Sequence, residues 1–207
     1  GAGTVFRLRQ KRINSLSHLP RIAPLLILLL LNLSGPARAD FAAGFEAYEK
    51  NDYATALKEW LPAAQKGDPY AQHMLGFLYA QGRGVLIDPA KTVSWWLKAA
   101  EQGFAPAQYT LGQLYRRGLG VKRDLAKART WIGRAADAGY PDAQYAYGVM
   151  HITGEGVKSD LSTAFMWLDL AADTRGLPPG TFWPDVDKYL TPMQRLEADQ
   201  LKKNWNN

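Results

Sequence analysis

No cysteine occurs in the 207 residues. That absence excludes a disulfide framework, a thiolate metal site, a thiol nucleophile and a lipidated cysteine. Long apolar runs are also missing. The longest, residues 22–33 (IAPLLILLLLNL), is about a dozen residues with Pro24 and Asn32 at its edges, whereas a spanning helix needs roughly 20. The first 39 residues contain no acid. They hold Arg7, Arg9, Lys11, Arg12, Arg21 and Arg38, and the rest of the chain balances 19 basic against 19 acidic residues. The formal charge of +6 therefore belongs to the N-terminal segment alone and gives no support for nucleic-acid binding. What is present is globular in composition: 47% apolar, 21% charged and 12% aromatic, which argues against long disorder, collagen and coiled coil.

The N-terminal segment has the order of a secretory signal. A cationic stretch at 7–12 (RLRQKR) precedes the apolar run, and Ala37-Arg38-Ala39 places small residues at −3 and −1 of a signal-peptidase site. Cleavage is expected before Asp40, delivering the remainder to a periplasmic or secreted location in a bacterium, with no stable membrane insertion afterwards. The chain starts at Gly1 rather than Met, which leaves its upstream end open.

Beyond residue 40 the chain repeats itself. A shift of 36 residues superposes 71–106, 107–142 and 143–178 without a gap. Identical in all three copies are Ala71/107/143, Gln72/108/144, Gly76/112/148, Gly82/118/154 and Gly84/120/156. So are Val85/121/157, Asp88/124/160, Trp95/131/167, Ala99/135/171 and Ala100/136/172. In the first half of each copy Ala71, Gln72, Leu75, Gly76 and Tyr79 fall within an arc of about 140° at helical spacing, which marks a packing face. Gly76 lets another helix approach. Gly82 ends the helix in a left-handed conformation. Gly84 permits a second bend, and Val85 plugs the loop. Asp88 before Pro89 reads as the N-cap of a second helix with Pro at N1. In that helix Trp95 and Trp96 alternate with small Ala99 and Ala100, and Gly103 and Gly139 close it.

The motifs A-Q-x-x-L-G-x-x-Y (71–79), G-x-G-V-x-x-D (82–88) and W-x-x-x-A-A-x-x-G (95–103) resemble the Sel-like repeat family, a branch of the tetratricopeptide-type helical solenoids. Later copies depart at Tyr147, His151 and Gly176. The resemblance implies an all-α, right-handed α-solenoid of antiparallel helix pairs, about four repeats long. The expected layout is a cleaved signal (1–39), a divergent opening unit (40–70), three repeats (71–178), and a loop with a C-terminal capping helix (179–207). In the opening unit Phe45, Tyr48, Tyr53, Ala56 and Trp60 fit two helices joined at Asn51-Asp52. After the Leu177-Pro178-Pro179-Gly180 break, Thr191-Pro192 starts the closing helix, with Met193, Leu196, Leu201 and Trp205 expected as its apolar side.

Residues for chemistry are not assembled. The recurring aspartates are explained by capping. The G-x-G-V at 82–85 lacks the third glycine and a preceding strand, and 154–159 is not a phosphate loop because Lys158 does not directly follow a glycine. Of the two histidines after residue 39, His73 and His151, the second replaces a packed tyrosine of its repeat. No catalytic residue, cofactor or metal site is assigned.

What remains is a surface. One arc of the first helix differs between copies: His73, Met74, Phe77, Ala80 and Gln81, then Tyr109, Thr110, Gln113, Arg116 and Arg117, then Tyr145, Ala146, Val149, Ile152 and Thr153. In the resembling family the first helices line the concave side, so Phe77, Gln81, Gln113, Arg116, Arg117, Val149 and Thr153 are the candidate partner-binding residues. Tyr109 and Tyr145 either face the groove or pack against the adjoining repeat. Net charge runs −3 (40–70), +1 (71–106), +4 (107–142) and −2 (143–207). The basic unit is either a solvated face or a docking patch for an acidic partner or an anionic polysaccharide. The resemblance favours a non-catalytic adaptor or regulator that binds an envelope or periplasmic protein. The alternatives are a cell-wall or glycan-binding module, and a lactam-binding or lactam-hydrolysing enzyme like some secreted members. Those members carry cysteine pairs that this chain lacks.

Overall fold

The computed structural model describes residues 36–185 and 188–205, with side chains from residue 41 onward. Most of the expected signal segment lies outside the described residues. Nine helices are described. They are α1 (Pro36–Glu49), α2 (Tyr53–Gln65), α3 (Pro69–Gln81), α4 (Pro89–Glu101), α5 (Ala105–Arg117), α6 (Leu125–Asp137), α7 (Pro141–Thr153), α8 (Leu161–Thr174) and α9 (Pro192–Trp205). There is no strand among the described residues. Every substantial helix–helix contact joins helices consecutive in sequence, from α1–α2 through to α8–α9. This is the contact pattern of a solenoid, in which each unit touches only its neighbours. The expected all-α solenoid of helix pairs is the architecture found. α1 begins at Pro36, upstream of the expected cleavage point at Asp40.

The short-range signals act as read. Asp88, Asp124 and Asp160 adopt extended backbone and accept from the backbone N–H of Lys91, Lys127 and Thr163, capping α4, α6 and α8. Gly82, Gly118 and Gly154 end α3, α5 and α7 in the left-handed region, at φ 65°, 71° and 71°. In the opening pair Asp52 caps α2 through the Thr55 N–H, and Asn51 takes φ 60° in the turn before it. The closing helix starts with a reciprocal cap. Gln194 N–H donates to Thr191 Oγ1, and Thr191 N–H donates to Gln194 Oε1.

The face of the closing helix differs from expectation. Met193 and Leu196 are 73% and 64% exposed, so they point outward. α9 seats itself on α8 with Ala198, buried beside Phe165 and Leu190, and with Leu201 against the preceding core. Polar contacts fix both ends of this seat. Ser162, itself buried, donates to Glu197 at 2.8 Å, and Lys202 reaches Asp173 at 2.8 Å and Asp169 at 3.7 Å. Apolarity along α9 was a poor guide because the last repeat offers carboxylates as well as an apolar ledge.

The two adjacent tryptophans also separate. Trp96 is buried and lies across Gly76, where a Cβ would lie 2.2 Å from the indole Nε1, and that Nε1 donates to the His73 carbonyl at 3.0 Å. Trp60 does the same over Gly44 and the Phe41 carbonyl. In the next two pairs Ile132 and Leu168 stand over Gly112 and Gly148. The recurring Trp95 and Trp131 are only half-buried, with Lys98 and Arg134 stacked on their rings. Their copy Trp167 is buried, with Trp205 of α9 against it.

Candidate interaction surface on the first helices

The joints between units decide which side chains stay available to a partner. Gln72 and Gln108 are buried, and each sends its side-chain N–H₂ to a carbonyl near the end of the preceding second helix: Gln72 to Ala64 O and Gln108 to Ala100 O, both at 3.0 Å. The other face of the amide depends on one position at the end of the second helix. Gln102 donates to Gln72 Oε1 at 2.8 Å and Thr174 to Gln144 Oε1 at 3.0 Å. In the middle copy that position is Ala138, and Gln108 Oε1 is buried without a partner. Gln72 and Gln108 thus stitch their units to the preceding ones, whereas the Nε2 of Gln144 is buried without a partner.

The variable arc is partly consumed by the same joints. His73 is 2% exposed among Phe77, Trp96 and Phe104, and burial pushes its imidazole down to about 3. Met74 is buried as well. At the corresponding places Tyr109 packs on Tyr140 at 5.6 Å and Tyr145 on Phe182 at 5.0 Å. Burial raises the Tyr109 hydroxyl above its ordinary value. Tyr109 is thus half-buried in the contact with the adjoining repeat, whereas Tyr145 touches the following segment and still stays 41% exposed.

The seven candidate residues fall into two rows. Phe77, Gln113 and Val149 are half-buried. Phe77 stacks edge-on against His73 and Trp96, and Gln113 Oε1 is buried without a partner. Gln81, Arg117 and Thr153 are exposed at the C-terminal ends of α3, α5 and α7. Arg116 belongs to neither role as expected. It points to Glu155 of the following loop at 3.8 Å, where Arg123 also arrives at 3.3 Å. Within the same unit Lys127 lies over Tyr115 and beside Asp124, and Arg134 lies over Trp131. Much of the local positive charge is therefore engaged inside the fold, whereas Arg117 joins no ion pair among the described residues.

Sequence reasoning passed over the loops. Leu86, Ile87 and Leu119 are 90%, 65% and 53% exposed. The signal was legible as an apolar pair between Val85 and the capping Asp88. His151 is half-buried edge-on to Tyr147, as its replacement of a packed tyrosine implied. No group of three or more His, Asp or Glu side chains is placed to hold a metal among the described residues.

A family model for the Sel1 repeat matches residues 69–104, 105–140 and 141–173. Among solved structures the chain is similar to the Sel1 repeat protein from Oxalobacter formigenes, at 32% identity and a TM-score of 0.62, over 65% of this chain and 55% of that one. It is also similar to a protective antigen of uropathogenic Escherichia coli displaying an SLR fold. That likeness has 24% identity and a TM-score of 0.43, over 83% of this chain and 45% of that one. For the cysteine rich protein B of Helicobacter pylori the values are 23% and 0.49, over 66% and 96%. The chain thus spans about half the length of the first two proteins. No curated protein matches it.

Proposed function

The chain belongs to the Sel1 repeat family, and from that premise we propose that it is a periplasmic adaptor or regulator that holds a protein partner along its first helices. Sel1 repeat proteins are in general protein-interaction modules on a non-enzymatic scaffold. The supporting observation is the exposed row Gln81, Arg117 and Thr153. Each residue stands one step before an identical glycine, in an identical helix end, yet the three differ in charge, size and hydrogen-bonding capacity. Local packing asks for sameness there, so the difference is left for recognition. Arg117 supplies a guanidinium to a carboxylate or carbonyl of the partner, and Gln81 and Thr153 flank it with adaptable polar groups.

Capture from an envelope extract tests the reading, with wild type and a Gln81→Ala/Arg117→Glu double variant side by side. A specific partner held by the wild type should be bound at least about tenfold more weakly by the variant, a change of about 1.4 kcal/mol. Both substituted positions are exposed, so stability should move by no more than about 0.5 kcal/mol. Equal retention by the two proteins would move the docking surface off the first helices. Location is tested by fractionation and by the N-terminus of the exported protein, which is expected within two residues of Asp40.

A further inference from the structure

The loops between the paired helices form a second surface. Each loop leans on the start of the preceding second helix: Gly84 on the Tyr53 backbone, Gly120 on Pro89, and Gly156 on Leu125. The three loops therefore lie side by side along one edge of the solenoid. Leu119 immediately precedes Gly120, and Gly120 rests on Pro89, two residues beyond Ile87. Leu86, Ile87 and Leu119 thus stand exposed on neighbouring loops of one edge.

Cations continue the edge. Lys122 and Lys158 are exposed, and Arg123 keeps most of its side chain in solvent while touching Glu155. The acids on this edge are engaged within the chain, although Asp160 stays exposed and Asp88 and Asp124 are only half-buried. Asp88, Asp124 and Asp160 accept the N–H groups of their own helix starts, and Glu155 sits between Arg116 and Arg123.

We propose that this loop edge docks on an anionic lipid bilayer, with Leu86, Ile87 and Leu119 entering the headgroup boundary and Lys122, Arg123 and Lys158 lying at phosphate level. The chemistry favours a lipid surface over a protein. Protein interfaces concentrate aromatic residues and are depleted in lysine, and their energetic centres under-represent leucine. Here the apolar groups are aliphatic, stand on protruding loops and are bordered by lysines, the combination that suits the interfacial zone of a charged membrane. The contact is peripheral, because no helix among the described residues is long and apolar enough to cross a membrane. It uses neither Gln81 nor Arg117, although both helix ends adjoin these loops.

The cysteine-free chain permits a direct test. The full chain is labelled with an environment-sensitive fluorophore through Leu86→Cys or, on the outer side of α9, through Gln200→Cys. Each is mixed with phosphatidylcholine vesicles, either pure or containing about one third phosphatidylglycerol. Emission from position 86 should shift to the blue and brighten on the anionic vesicles only, and position 200 should stay unchanged. The label reports this loop alone, whatever else in the chain touches the vesicle. Adding Lys122→Gln and Lys158→Gln should weaken the response about 25-fold, at roughly fivefold for each cation lost near an anionic surface. No shift at position 86, an equal shift on neutral vesicles, or a shift produced only by added envelope protein would overturn the proposal.

Discussion

Two neighbouring joints carry the same recurring residues and solve the same problem differently. Where α3 and α4 meet, Gly76 lies under the Trp96 indole, His73 is sealed among three aromatic rings, and both faces of the Gln72 amide are hydrogen-bonded. Where α5 and α6 meet, Gly112 faces Ile132, Tyr109 packs on Tyr140, and Gln108 keeps one face unpaired. What recurs is what the backbone demands: a missing Cβ and an amide that reaches across the joint. Which side chain fills the remaining volume is free to drift, because aliphatic and aromatic groups both restore close packing.

The largest expected effect breaks the shared element. A Cβ at Gly112 would lie 2.5 Å from Ile132 Cγ1, 3.0 Å from the Ile132 backbone nitrogen and 3.3 Å from the Ala128 carbonyl oxygen. Backbone cannot step aside as a side-chain tip does. Gly112→Leu should therefore cost roughly 2–4 kcal/mol, read by urea unfolding. An unchanged unfolding midpoint would mean that the close approach is not what the glycine serves.

The next effect separates the joints by pH. The unfolded His73 imidazole binds a proton near pH 6.5, and the folded one does not until about 3. The folded pKa is depressed, so between these values the unfolded state holds the extra proton. Stability then falls as pH drops below about 6.5, by up to about 1.4 kcal/mol per unit. His73→Phe should remove the His73 part of that slope, measured by denaturant unfolding between about pH 4 and 7, and leave the part due to His151, whose pKa burial also lowers. The Asp88 carboxyl is held below its ordinary value by the Lys91 backbone N–H, so it adds to acid sensitivity only near the foot of this window. If wild type and variant share one pH profile, His73 is not sealed in its neutral form.

The smallest effect repairs the weaker joint. Ala138→Gln places at the middle joint the residue type that Gln102 supplies to Gln72, at a position with nearly the same backbone angles. It should stabilise the chain by about 1 kcal/mol by pairing Gln108 Oε1. No gain would show that this oxygen is already satisfied in solution.

The aspartate caps, the left-handed glycines and the pairing of helices were all legible, as was the turn at Asn51-Asp52. The outward placement of Met193 and Leu196 was not, because it depends on Asp169 and Asp173 waiting on α8 for Lys202. The engagement of Arg116 was hidden for a similar reason, since its partner Glu155 lies in the next unit. Of the candidate row, the sequence pattern placed all seven residues on one variable arc. Exposure then divided them, leaving Gln81, Arg117 and Thr153 outward and drawing Phe77, Gln113 and Val149 toward the joints.

That division follows the range of the forces involved. A cap or a left-handed turn is settled within three or four residues, so Asp88, Asp124 and Asp160 and the glycines before them could be assigned from spacing alone, and their recurrence every 36 residues determined a solenoid. The stitch by Gln72, the choice of Trp96 over Trp95 for the joint and the need for a bare Gly84 against Tyr53 join residues far apart in the chain. Two helices must first be brought to contact before a Cβ has anything to strike or an amide has a carbonyl to find. Those assignments belonged to the tertiary structure alone.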